Sequence, residues 1–176
     1  MNKKLYLLVF ALACFSCNKQ EKPNANNNLL YFDLKGYFEK EIDRLQEVSP
    51  SINKTVSING AKEQKTLTIT DWQKELAIFQ NADINKNSWR GSFKITKQGE
   101  QSIYSSDNRK IPIKKILVEQ QGSKVSKISI IVNNNNILYR SQDTLTYIPD
   151  SLYEIKKQQK IRFLAQKNYL IIGKFN

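Results

Sequence analysis

From about residue 92 onward the chain is a succession of short apolar-alternating runs, cut by turn-prone pairs roughly every ten residues. This limits what it can fold into more than any other feature. The strand-like runs fall at 92–97, 101–105, 111–120, 125–132, 137–146, 152–164 and 169–175. Between them stand Gln98-Gly99, Asp107-Asn108, Gln121-Gly122, Asn133 to Asn136, Pro149-Asp150 and Lys167-Asn168. Gly, Asn, Asp and Pro supply the backbone angles and local side-chain bonds that reverse a chain. Links this short join antiparallel neighbours, because a parallel pair needs a crossover of about a dozen residues or more. Strand twist accumulates across such a meander, so a sheet of this width is expected to curl.

What the sheet curls around is legible upstream. Leu34, Phe38, Ile42 and Leu45 recur at spacings of three and four, with Tyr37 alongside, while Glu39, Lys40, Asp43 and Arg44 face elsewhere. That pattern predicts an amphipathic helix capped by Asp33 and closed by Ser49-Pro50. Val56 and Ile58, then Asn59-Gly60, then Leu67 and Ile69 predict a hairpin. Thr70 with Gln73 three residues on has the form of a capping box, and it opens a short second helix that turns Trp72, Leu76 and Phe79 to one side. The fold class expected is α+β: a curled antiparallel β-meander, or incomplete barrel, packed on one N-terminal amphipathic helix and a second short helix. In element order this resembles the half-barrel of periplasmic lipoprotein carriers. The likeness is one of architecture, which does not transmit function.

The N-terminus has another character. Lys3 and Lys4 precede an apolar run from Leu5 to Phe15, the layout of a secretory signal. The run falls short of the roughly 20 residues a membrane-spanning helix needs. The chain's two cysteines, Cys14 and Cys17, lie in or just after it. The stretch resembles the lipobox of bacterial lipoproteins, in which a Cys behind a small residue is acylated and becomes the mature N-terminus. Two registers fit, Ala11-Leu12-Ala13-Cys14 and Cys14-Phe15-Ser16-Cys17, and both depart from the pattern at the Leu and small-residue positions. Polarity begins directly after the second, at Asn18-Lys19-Gln20, so Cys17 is the expected lipidation site and Cys14 the alternative. The resemblance implies a membrane partner through the N-terminal lipid. By the family's sorting behaviour, Asn18 implies passage to the outer membrane. The expected organisation is a signal peptide at 1–16, a lipidated Cys with a flexible Asn- and Lys-rich tether at 17–30, and a single domain at 31–176.

The chain holds no histidine, and the lipobox reading leaves no thiol in the body. Ser-His-Asp and Cys-His machinery are thereby excluded, as are His- or Cys-ligated zinc and copper. No metal site, cofactor or catalytic residue is expected. Asp71 and Glu75 stand one helical turn apart, a place where acids ordinarily serve the helix dipole. Two features carry the search for a binding site. In the stretch 82–91, Trp89 and Arg90 adjoin a polar loop, where Trp89 either stacks on a ligand or opens a strand and points into the core. Cations scatter over adjacent strands, with Lys114 and Lys127 as the candidates, either as a basic stripe or as guards against edge aggregation.

A balance of 28 Lys+Arg against 16 Asp+Glu gives a net charge of +12. It favours anionic glycolipid, acidic polysaccharide or an acidic envelope protein as partner. Aromatics are too thinly interleaved for nucleic acid. The expectation is a non-catalytic ligand-binding or assembly domain on a lipid anchor. A hydrolase of envelope or extracellular polysaccharide working with carboxylates alone is the alternative.

Overall fold

A computed structural model describes residues 29–176. The leader, Cys14, Cys17 and residues 18–28 of the tether lie outside the described residues.

The first helix, α1 (Leu34–Val48), forms as its periodicity predicts, burying Leu34, Phe38, Ile42 and Leu45 together with Glu41. Asp33 caps it by accepting from the Gly36 amide at 2.9 Å. A Cβ at position 36 would stand 2.2 Å from Asp33 Oδ2, so the glycine is what leaves room for the cap. The helix stops at Ser49, which takes left-handed angles (φ 47°) before Pro50.

Strands β1 (Ser51–Ile58) and β2 (Ala61–Thr68) form the hairpin around Asn59-Gly60, both residues at positive φ as the tight turn requires. The second helix, α2 (Trp72–Gln80), corrects the capping-box expectation. Its cap is Asp71, which accepts from the Lys74 amide at 2.8 Å, while Gln73 turns instead to Gln80. An ionised carboxylate is the stronger acceptor for first-turn amides and suits the positive end of the helix dipole.

After a 3-10 turn (Asn87–Trp89) come β3 (Lys94–Gln98), β4 (Gln101–Ser105), β5 (Ile113–Gln121), β6 (Lys124–Asn135), β7 (Tyr139–Ile148), β8 (Leu152–Ile161) and β9 (Lys167–Phe175). All nine strands form one open antiparallel sheet in the order β2-β1-β9-β8-β7-β6-β5-β4-β3. The α+β fold with a curled meander is therefore as expected. The early hairpin joins it at the far edge, β1 pairing with β9 from Ile52↔Phe175 to Ile58↔Tyr169.

Two turns shift from their predicted places. Asn133, Asn134 and Asn135 are strand residues paired with Gln142, Ser141 and Arg140. The reversal begins at Asn136, whose Oδ1 accepts from the amides of Leu138 and Tyr139. Lys167 and Asn168 likewise pair with Gln159 and Gln158, so the β8–β9 turn is 162–166.

Both helices lie on one face of the sheet, the inner face. It presents Ile116 and Val118 from β5, Ile128 and Ile130 from β6, Leu145 and Tyr147 from β7 and Tyr153 from β8, all buried. The aromatic centre joins Phe38, Phe79 and Tyr147, with ring centroids 5.2–6.0 Å apart. Trp72 stacks on Phe175 at 5.7 Å and meets Tyr153 edge-on at 6.4 Å, so it packs on the sheet as its place in α2 predicts. Gly173 stands opposite Tyr153 on β9, and a Cβ there would come within 2.2 Å of the ring. The missing side chain lets the ring lie across the neighbouring strand.

Candidate functional site

Each helix is fastened to the sheet through a carboxylate. In α1, Glu41 accepts from the Tyr147 hydroxyl at 2.5 Å and pairs with Arg44, which also reaches Asp150 at 2.8 Å. In α2, Glu75 accepts from the Tyr153 hydroxyl at 2.6 Å and from Lys54 of β1 at 2.6 and 2.8 Å. Tyr147 and Tyr153 face each other directly across β7 and β8. Burial holds both phenols well above their ordinary range, and the bonds to Glu41 and Glu75 add to the effect. The Arg44 guanidinium is held above its ordinary value chiefly by its hydrogen bond to Glu41. Sequence reasoning assigns Glu75 to the helix dipole and passes over Glu41, Tyr147 and Tyr153. A signal was present: Glu41 and Glu75 each follow an inward aromatic, Phe38 and Trp72, by three positions, which puts an acid on the buried stripe.

Beside the second clasp, part of the inner face is open. Between α2 and the sheet edge lies an open cavity of about 950 Å³, in the range of small-molecule sites. Its apolar surface comes from Leu67 of β2, Ile78 of α2, Ile155 of β8, and Tyr169 and Ile171 of β9. Lys54 and Glu75 form one polar corner, and Lys74 and Lys157 supply two further ammonium groups. Lys157 lies 3.5 Å from Asp143, a buried acid whose other oxygen has no hydrogen-bond partner among the described residues. Along β7 and β8 the inner face thus changes from Tyr147/Tyr153 and Leu145/Ile155 to Asp143/Lys157 and Ser141/Gln159. The cavity spans that change, with Lys74, Glu75 and Ile78 of α2 on one side and Ile155, Lys157 and Gln159 of β8 on the other.

The residues singled out from sequence lie elsewhere. Trp89 sits in the 3-10 turn, not at the head of a strand, half-buried against the core with the Lys86 ammonium 4.3 Å from its ring centre. Arg90 is exposed beside it. The loop before them is held by Asn85, which accepts from the Tyr31 amide and donates to the Phe32 carbonyl. Lys114 donates to the carbonyls of Asn108 and Ile111 at 2.8 and 2.7 Å, tying down the β4–β5 connection. Lys127 pairs with Glu119 across β5 and β6 at 3.3 Å. Five positions of β5 separate Lys114 from the residue opposite Lys127, roughly 15 Å at strand rise. Of the four, only Trp89 and Arg90 are brought together, and none lines the cavity.

The acids are spoken for in the same way. Asp71 caps α2, and Glu75 is held by two donors. No group of three or more acidic, His or Cys residues poised for a metal occurs among the described residues. No helix among the described residues is long and apolar enough to cross a membrane. No family model matches the chain, and neither the curated proteins nor the solved structures compared with it gave a match.

Proposed function

We propose that the protein is an outer-membrane-anchored lipoprotein whose folded domain binds an apolar or amphipathic ligand on the inner face of its sheet. The observation that carries this reading is the open cavity between α2 and strands β8, β9, β1 and β2, apolar over its floor and cationic at Lys74 and Lys157. A cavity of this kind receives a hydrocarbon body on Leu67, Ile155 and Ile171. The Lys74 ammonium then meets an anionic head, with Lys157, paired to Asp143, behind it. The acids fit a carboxylate-only hydrolase poorly, since Glu41 and Glu75 are each committed to a tyrosine and a cation.

The ligand reading is tested by titrating a dansyl-labelled fatty acid against the full chain. Fluorescence enhancement that saturates, and that Ile171→Trp abolishes by filling the cavity without lowering the thermal midpoint, supports it. No enhancement, or enhancement that Ile171→Trp leaves unchanged, overturns it. The anchor is tested separately by metabolic labelling with an alkyne fatty acid. Labelling should vanish in Cys17→Ala and survive in Cys14→Ala.

A further inference from the structure

Three hairpin ends stand in a row at one end of the sheet. The β1–β2 turn is bonded to the start of β9, Asn59 and Asn168 exchanging two hydrogen bonds at 2.8 Å. The β8–β9 turn is bonded to the β6–β7 turn, the Arg162 amide donating to the Leu138 carbonyl at 2.8 Å. This end of the molecule carries large apolar side chains in water: Ile137 is 83% exposed and Phe163 90%, with Ile58, Leu138, Ile161 and Leu164 also open. Single exposed apolar residues are ordinary, but a contiguous set marks a contact surface.

Phe163 adds a backbone argument. Its φ is +67°, a left-handed angle that Gly or Asn adopts easily and a bulky residue does not. A ring of this size at the tip of an exposed turn serves neither the turn nor the core. The Arg162 guanidinium lies 4.9 Å from the ring centre, so charge and apolar surface are presented together.

The charges point to the occupant. Segments 133–142 and 158–168 contain Arg140, Lys160, Arg162 and Lys167 and no acid at all. Arg140 and Lys160 are direct cross-strand partners, an arrangement of like charges that is unfavourable by itself; Lys160 donates to the Leu164 carbonyl at 2.8 Å, which leaves both charges without an acid and open to relief by an anion. Exposed aliphatic and aromatic tips ringed by unopposed cations suit the boundary of an anionic bilayer, where rings sit at headgroup depth and each Lys or Arg meets negative surface potential.

We infer that this end of the sheet, centred on Phe163, Leu164, Ile137 and Leu138, docks the folded domain onto an anionic lipid surface. The contact is separate from the acyl anchor and does not depend on occupation of the inner-face cavity.

Quenching by brominated lipids tests it on the full chain reconstituted in vesicles of phosphatidylcholine, with or without phosphatidylglycerol. Two reporters are compared, Phe163→Trp at the proposed contact and Ser123→Trp in the β5–β6 turn at the other end of the sheet. Each is read as the difference from the unsubstituted chain. Quenching of the Phe163→Trp reporter in anionic vesicles, weak in neutral ones and absent for Ser123→Trp, is the expected result. Arg140→Gln and Lys160→Gln should each lower the docked-to-free ratio roughly fivefold. Phe163→Asn, which keeps the turn, should lower it about tenfold or more with no loss of thermal stability. Equal quenching of the two reporters reflects tethering alone and overturns the inference, as does no quenching of Phe163→Trp. A blue shift of Phe163→Trp that grows with protein concentration without vesicles assigns the surface to a second copy instead, and overturns it too.

Discussion

The two ends of strands β7 and β8 belong to one ladder yet live in different surroundings. At one end Tyr147 and Tyr153 lie fully buried beneath α1 and α2, their hydroxyls closed on Glu41 and Glu75. At the other, Lys157 and Gln159 face the same way but are only half-buried, and Ile161 is exposed. The same holds on β1, where Ile52 is buried while Val56 and Ile58, on the same face of the strand, are exposed. Alternation therefore decides which side of the sheet a residue faces. The reach of the covering helices decides whether that side is dry.

Truncation of the covered half should have the largest effect. Trp72→Ala, which removes a fully buried ring stacked on Phe175, should cost about 3–5 kcal/mol in urea denaturation. Comparable losses from Ile161→Ala, at the exposed end of β8, would erase the contrast. Next in size is Gly173→Ala, whose new methyl collides with the Tyr153 ring and should cost about 1–3 kcal/mol. In a Tyr153→Leu background most of that cost should disappear, and a double-mutant cycle measures the coupling.

A pH titration sharpens the contrast from another side. The phenols of Tyr147 and Tyr153 are raised above their ordinary value of 10 by burial, so the folded state keeps them neutral where the unfolded chain ionises them. Their contribution is complete below pH 10 and falls as pH rises above it, by about 1.4 kcal/mol per pH unit for each ring. Tyr147→Phe should flatten the alkaline limb of the thermal midpoint curve. The smallest effect is expected at the bare end of β1, where Val56→Thr should change stability by less than about 0.5 kcal/mol.

The helices and most turns were legible because their signals are local. Asp33 caps α1, Asn59-Gly60 turns the hairpin, and Pro149-Asp150 reverses β7 into β8, each through backbone chemistry confined to a few residues. The cap falls on Asp71 and not Thr70 because its carboxylate is the stronger acceptor for a first-turn amide, and Asn133–Asn135 join the strand because pairing with Gln142, Ser141 and Arg140 extends the ladder past where their turn-prone residue type would end it. The cavity was less legible still. Its lining comes from β1, β2, α2, β8 and β9, and no spacing along the chain records that these meet. Lys114 and Lys127 mislead because a cation's availability depends on what it already touches, Asn108 and Ile111 for one and Glu119 for the other.

The pairing of β1 with β9 joins segments more than a hundred positions apart. A nascent chain therefore reaches residue 166 with its leading hairpin still unattached, and this sheet edge can close only after the last strand emerges. Early truncation products should remain soft and protease-sensitive along Ser51–Ile58, and the domain should fold slowly for its size, since distant strands must find each other before any of that closure is rewarded.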